Sequence, residues 1–308
     1  METVFLIGGS GFIGKNLVEF LSERYHVTVV DKFIDGTFFK KHPQVDTIKM
    51  DLVEQRIPDE YETPDFIINL ASIVTAERDF SLFDGMIASN LKVLLNLYER
   101  FKDDKKLKLF IQFGSSEEYG SEGSPFVETM REQPSSPYAL VKQLTVNTAM
   151  MLYSNYGFPT MVVRPGNLFG KYQNTSKFIP YVITQLIKNE DLDVTPCEQK
   201  RDFISASVFS KCIGHLLENY EKCLGQIVNV ASGKSISLKE IIETSKSIIN
   251  SSSCVNYGAK PYRQNEVMDL ICSMDKFEKI TNQQVIFDIN IELKKLSDYL
   301  KESLCESK

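Results

Sequence analysis

Apolar positions along the chain fall into short runs separated by longer stretches of helical periodicity. Seven runs, at residues 3–7, 27–31, 47–50, 66–70, 107–113, 160–164 and 226–231, read as strands. Several, such as Phe66-Ile67-Ile68 and Leu109-Phe110-Ile111, are apolar on consecutive rather than alternate positions. That is the mark of strands buried on both faces of a parallel sheet covered by helices. Residues 12–24, 83–101, 137–156 and 207–220 are predicted as the intervening helices. The third begins well, because Ser136 can cap it and Pro137 at its first position gives up no needed hydrogen bond. Alternating strands and helices predict an α/β fold, a doubly wound parallel sheet of about seven strands.

After residue 164 the rhythm loosens, with isolated helices predicted at 178–188 and 238–249. The division expected is residues 1–164 plus 207–231 around the sheet, and 165–206 plus 232–308 as a smaller α/β lobe for substrate. The serine-rich run 247–254 reads as a loop or helix end. Nothing resembles a repeat or a low-complexity linker.

Composition narrows the function classes. The 308 residues are 43% hydrophobic and 25% charged, as in an ordinary globular protein of one large or two closely joined domains. Thirty-five Lys and Arg against 41 Asp and Glu give a net charge of −6, which offers no footprint for nucleic acid or an anionic membrane. No apolar stretch approaches the roughly 18–20 residues that span a bilayer. The apolar start meets glycines at once without a basic lead, so no secretory signal and a cytoplasmic location are expected. Cys197, Cys212, Cys223, Cys254, Cys272 and Cys305 form no CxxC pair and only three histidines occur. They predict reduced packing thiols and no metal site.

The first candidate chemistry is Gly8-Gly9-Ser10-Gly11-Phe12-Ile13-Gly14, between the first predicted strand and helix. Gly8, Gly11 and Gly14 keep a GxxGxxG spacing that allows a tight turn, close approach of a pyrophosphate, and close packing of helix on strand. Backbone N–H groups at the helix start then face the phosphates. This predicts a Rossmann-type dinucleotide site. Asp31 closes the second strand, where a carboxylate accepts ribose hydrogen bonds and repels the extra phosphate of NADP, so NAD is favoured. Lys32, Lys40 and Lys41 nearby keep NADP possible. Asp51-Leu52, ending the third strand, is expected near the adenine.

Tyr138 and Lys142, four apart at the start of a predicted helix, share one face. Upstream, strand 107–113 ends in Gly114-Ser115-Ser116-Glu117-Glu118-Tyr119-Gly120, at the carboxyl edge where open α/β sheets bind ligands. With Asn69-Leu70-Ala71-Ser72, Asn90, Arg164-Pro165-Gly166-Asn167 and Arg201-Asp202-Phe203, these segments resemble an extended short-chain dehydrogenase/reductase of the nucleotide-sugar epimerase/dehydratase group. The resemblance covers nearly the whole chain and fades after about residue 263, and Asn69 stands where many members have His.

The resemblance implies that Tyr138 is the general base for a sugar hydroxyl while hydride passes to nicotinamide. It implies that Lys142 lowers the phenol's pKa and holds the nicotinamide ribose, and that Ser115 bonds the reacting oxygen. It sets Phe12, Ile13, Leu70, Ala71, Ser72, Asn90 and Pro165 against the dinucleotide, and Asn167, Arg201 and Arg263 against a nucleotide diphosphate sugar. Guanidinium suits a bidentate grip on phosphate.

Oxidation at C4 acidifies the C5 proton and opens several fates. Ser115-Ser116-Glu117 resembles the Thr-Asp-Glu or Thr-Ser-Glu triplet of nucleotide-sugar 4,6-dehydratases, which makes Glu117 the C5 acid/base and Ser116 a weak assistant. The same stretch also looks like nucleotide 4-keto-6-deoxyhexose reductases. The order of expectation is a 4,6-dehydratase or C5-active relative, then the reductase, then a 4-epimerase, with a non-enzymatic dinucleotide sensor remote. Leu91, Leu94, Leu95, Leu97, Leu144, Met150 and Met151 exceed one core stripe, and family members commonly dimerise through these helices, so a homodimer by a four-helix bundle is expected.

Overall fold

The computed structural model describes residues 1–74, 79–121, 123–262 and 266–306. Its centre is one parallel sheet of β1 (Thr3–Ile7), β2 (His26–Asp31), β3 (Asp46–Lys49), β4 (Phe66–Asn69), β5 (Leu109–Phe113), β6 (Thr160–Pro165) and a returning strand, Ile227–Val230. The order is β3-β2-β1-β4-β5-β6-returning strand. Winding reverses between β1 and β4, which opens a crevice at the carboxyl ends of the strands. Ile7 lies opposite both Val30 and Asn69, and Phe113 opposite Val163, so the residues that follow these strands gather along one edge. All seven predicted strands are present, with ends moved by two residues at most.

The period of two along each strand feeds two cores. Val4 and Leu6 pack on one face with Leu17, Phe209 and Ile213, while Phe5 and Ile7 pack on the other with Leu94, Leu97 and Phe110. A third apolar cluster lies away from the sheet, where Phe169, Ile179, Ile183, Phe203 and Ile241 meet Leu293, Leu296 and Leu300. Small sheets accompany it: Asn167–Phe169 pairs with Phe203–Ser205, and Lys200–Arg201 lies between Ile236–Ser237 and Asp269–Leu270.

Helices Pro137–Tyr156, Phe178–Lys188 and Leu238–Ile249 match their predicted ranges. Ser136 Oγ accepts from Ala139 N at 3.1 Å, and Gly157, at φ 69°, ends that helix in the left-handed conformation. The predicted helix 12–24 stops at Leu21, because the amides of Arg24 and Tyr25 both return to the Leu21 carbonyl and tighten the chain into β2. The predicted helix 207–220 is Ala206–Glu218 followed by the short Tyr220–Cys223. The predicted helix 83–101 is Phe83–Ile87, a π turn at Ala88–Lys92, and Val93–Phe101. Leu94 and Leu97 belong to the core against the sheet and are corrected as dimer candidates; Leu95, Leu140, Leu144 and Met151 are the exposed ones. Three helices, the short Gly36–Phe39 together with Asp275–Thr281 and Ile289–Glu306, were not predicted.

The six cysteines are free, Cys254 and Cys305 exposed and the others buried. Among the described residues no helix is long and apolar enough to cross a membrane, and no three His, Cys, Asp or Glu gather to hold a metal.

Candidate active site

The glycine turn joins β1 to helix Phe12–Leu21 and lies against the end of β4. Gly8 has φ +76°, and a Cβ there would come within 3.0 Å of Ala71 N. A Cβ on Gly14 would collide with the Gly9 carbonyl, so helix and turn touch backbone to backbone. Gly11 differs: a Cβ would meet only Gly8 O, at 3.6 Å, and the turn is open there. Asp31 braces the loop, its Oδ2 accepting from Ser10 N at 3.0 Å and its Oδ1 from Phe33 N at 3.1 Å. Asn69 orders the next loop, accepting from Ala71 N at 3.2 Å while donating to Gln112 Oε1 at 2.8 Å.

A cavity of about 770 Å³ runs along this edge. It brings together Gly8, Gly11, Phe12, Ile13, Gly14, Asp31, Lys32, Asp51 and Leu52 at one end. Leu70, Ala71, Ser72, Ser115, Ser116, Glu117, Tyr138, Pro165, Asn167 and Arg201 line the remainder. Two predicted residues stand behind its wall. Asn90, buried in the π turn, donates to Met86 O at 2.8 Å, and Lys142 Nζ donates to Phe113 O at 3.2 Å. Arg263 lies outside the described residues.

Ser115 follows β5 and caps a 3₁₀ turn, Ser116–Tyr119, its Oγ accepting from Glu117 N at 3.2 Å. Tyr138 and Lys142 face it from the first turns of their helix, with Nζ 5.8 Å from the phenol ring centroid. Burial pushes the Tyr138 hydroxyl above its ordinary value, the charges of Glu117 and Glu118 push it further, and a hydrogen bond with Ser115 pulls it partly back. The net direction in the chain alone is upward, and the lowering expected from the charge of Lys142 would act against it. Lys142 is itself pulled down to about 8 by burial, with the charge of Glu118 opposing the fall.

Arg201 projects from the middle of its small sheet, bonded to Val267 O at 2.6 Å and ion-paired with Glu266. Burial draws its guanidinium below the usual value, against the pull of Glu266. Next to it, Asp202 is fully buried and accepts from Ser232 N and Oγ, Gly233 N and Cys272 N, so it clamps three loops behind the cavity. Asn167 Oδ1 is buried with no hydrogen-bond partner among the described residues. Glu266 and Lys177 also line the cavity and were missed from sequence, as was the carboxylate–guanidinium cluster behind Ser115. Glu266 and Lys177 belong to no local motif, and although Glu118 and Arg164 stand in motif segments, nothing in their spacing shows that they pair.

The sequence model of the NAD dependent epimerase/dehydratase family matches residues 4–231. The chain belongs to that family. As a family member it is an NAD-dependent enzyme, and its relatives carry several activities. A CDP-abequose synthase from Salmonella muenchen is 38% identical over 107 residues, which cover 35% of this chain and 36% of that protein. A dTDP-glucose 4,6-dehydratase from Haemophilus influenzae is 25% identical over 71% of this chain and 74% of its own length. In fold, the crystal structure of UDP-glucuronic acid 4-epimerase from Bacillus cereus, in complex with UDP-glucuronic acid and NAD, superposes with a TM-score of 0.90 at 21% identity. That match covers 98% of this chain and 99% of the epimerase.

The cradle of this family member fits the family's dinucleotide. A helix N-terminus faces the cavity at Gly11 to Gly14, Gly11 lacks a side chain where the turn is open, and Asp31 stands at the strand end beyond it. At the other end the orphaned Asn167 Oδ1 is a buried acceptor awaiting a donor, and buried polar atoms are rarely left so.

Proposed function

We propose that this enzyme exchanges hydride at C4 of the hexose of a nucleoside diphosphate sugar, with Tyr138 moving the proton of the C4 hydroxyl. The observation that carries this reading is the gathering of Ser115 and Tyr138, backed by Lys142, in the same cavity as the glycine turn. Bound NAD supplies the hydride acceptor and donor. Phe12, Ile13, Leu70, Ala71, Ser72 and Pro165 would hold it with the glycines, Asn90 would support them from behind the wall, Asp31 would take the adenosine ribose, and Asp51-Leu52 would border the adenine. Lys142, behind the cavity wall with its Nζ on Phe113 O, would have to turn toward the cavity to hold the nicotinamide ribose. Ser115 hydrogen-bonds the C4 oxygen and keeps it within reach of Tyr138. Asn167, Arg201 and Arg263 take the diphosphate sugar, for which Arg201 has to be shared with or released by Glu266. The sheet unit, 1–164 plus 207–231, thus serves the dinucleotide, and 165–206 plus 232–308 serves the sugar nucleotide.

Glu117 supports a further step at C5. Its carboxylate lines the cavity near enough to Tyr138 to raise that group's pKa. A carboxylate there would remove the C5 proton of a 4-keto sugar and pass it to the C6 hydroxyl as that leaves as water; return of the hydride to C6 and of a solvent-derived proton to C5 would complete the 4,6-dehydratase course. A second reading, reduction of a 4-keto-6-deoxyhexose, is favoured by Ser116: its hydroxyl is too weak an acid to assist a leaving group, and reduction needs no such assistance. The enzyme acts as a homodimer through the exposed faces of helices Val93–Phe101 and Pro137–Tyr156.

The test is incubation of the purified enzyme with a panel of nucleoside diphosphate hexoses in deuterated water. A dehydratase gives a 4-keto-6-deoxy sugar with deuterium at C5 and no net NADH. A reductase consumes added NADH only with a keto-sugar, and an epimerase gives the C4 epimer without deuterium. Tyr138→Phe should slow any of these by about 10²–10⁴-fold. No exchange at C4 with any sugar of the panel would sink the reading.

A further inference from the structure

Behind Ser115 lies a group of charges that take no direct part in the chemistry proposed above. Glu118 and Arg164 are both fully buried, and Glu118 is the third residue of the 3₁₀ turn while Arg164 is the fifth of β6. A buried charge persists only when paired and hydrogen-bonded, and here the hydrogen bonds of the two lead to the site, while Arg164 Nη1 has no partner among the described residues. Glu118 Oε1 accepts from the Ser115 backbone N at 2.6 Å. Its Oε2 accepts from Arg164 Nε at 2.9 Å and is ion-paired with Nη2 at 2.8 Å. The same Nη2 reaches Glu132 Oε1 at 2.6 Å, on the segment that runs into the Ser136 cap and Tyr138. The Arg164 guanidinium also stacks 4.6 Å from the centroid of the Tyr119 ring. Gly114 makes room for this arrangement, since a Cβ there would press on both Glu118 and Arg164.

We propose that Glu118 is the positioning residue of this site: one carboxylate oxygen fixes Ser115, and the other is held by Arg164, which also grips the segment entering the Tyr138 helix. The proposal rests on the C4 hydride reading. Ser115 and Tyr138 come from different elements, and Arg164, on a third, ties both to one guanidinium. Their separation is thereby set from behind. Glu118 also sets the charge balance. It favours the ammonium of Lys142 and, together with Glu117, disfavours the phenolate of Tyr138.

Two variants separate position from charge. Glu118→Gln keeps the volume and removes the charge but turns one of the two acceptors into a donor, so it is read through Lys142 alone; Glu118→Asp keeps the charge but is too short to reach Ser115 and Arg164 together. Lys142 is followed by ¹³C NMR of protein labelled at lysine Cε, its resonance identified by its loss in Lys142→Met. In Glu118→Gln, Lys142 should titrate lower by about one unit, since an opposite charge has been taken away. In Glu118→Asp the titration should stay near about 8. The same Asp variant should lose about 10²-fold in kcat, with little change in the thermal shift given by NAD, because misplacement of reacting groups acts on rate. A folded Glu118→Gln with Lys142 unmoved, or a Glu118→Asp with full kcat, overturns the proposal. If the wild-type enzyme exchanges no hydride at C4, the functional reading falls, and the Lys142 titration still decides whether Glu118 governs the charge of the site.

Discussion

Lys142 is buried to 3% exposure beside a single carbonyl, and an ammonium in that place weighs against folding. Its pKa of about 8 in the folded protein lies below the ordinary 10.5. The unfolded chain therefore binds this proton more tightly. The penalty is full below pH 8 and is relieved as pH rises from 8 towards 10.5, a separation worth about 3 kcal/mol. Lys142→Met should accordingly melt at a higher temperature than the wild type at pH 7, and this advantage should shrink between pH 8 and 10.5 while hydride exchange is lost. Melting curves followed by circular dichroism across that range test it; parallel curves for the two proteins would refute it. Phe113 O keeps a partner in the variant, since Gln112 Nε2 donates to it at 3.2 Å. The residues that could be read from sequence, Gly8 to Gly14, Ser115, Tyr138 and Lys142, lie within short motifs whose spacing has a mechanical reason. The pairs Arg164–Glu132 and Arg201–Glu266 join loops 32 and 65 residues apart, and no spacing rule foretells which distant charges will meet.

Among elements, strands and isolated helices were legible because their apolar periods are complete within one segment. The π turn at Ala88–Lys92 was not, since a single extra residue in a turn barely alters the apolar period over two flanking helices. Helix Ile289–Glu306 was also missed, although Leu293, Leu296 and Leu300 repeat at helical spacing, because charged residues fill most of its other positions. Helix Pro137–Tyr156 packs beside Phe83–Ile87 and the π turn, and its outward stripe remains apolar. Leu140 is 42% exposed, Leu144 43% and Met151 38%, at intervals of four and seven residues. If that stripe is the dimer seam, Leu144→Glu should give a monomer in sedimentation velocity with unchanged secondary structure. A wild-type protein that is monomeric at tens of micromolar, by contrast, would remove the four-helix interface.

At the scale of the molecule, a net charge of −6 surrounds a cavity proposed for anionic ligands, so their binding depends on local donors rather than the overall field. The cavity touches β1, β2, β4 and β5 ends as well as the small sheet carrying Arg201, and a ligand there links all of them. NAD at 100 times its Kd should stabilise the fold by about 2.7 kcal/mol. NADP at the same concentration should raise the melting temperature less, because Asp31 repels its extra phosphate, and Asp31→Ser should narrow the gap. Equal shifts in the wild type would overturn the assigned preference.

The third apolar cluster adds a constraint on biosynthesis. Phe169 and Phe203, which sit beside the cavity-lining Asn167 and Arg201, are buried partly by Leu293, Leu296 and Leu300 from a helix downstream of every other described element. Domains form progressively as a chain is made, amino-terminal parts first. On the ribosome the wall that carries Phe169 and Phe203 stays unsupported until Ile289–Glu306 has emerged. Translation that stops short of this helix would leave Phe169 and Phe203, beside the cavity wall, without the apolar cover of Leu293, Leu296 and Leu300.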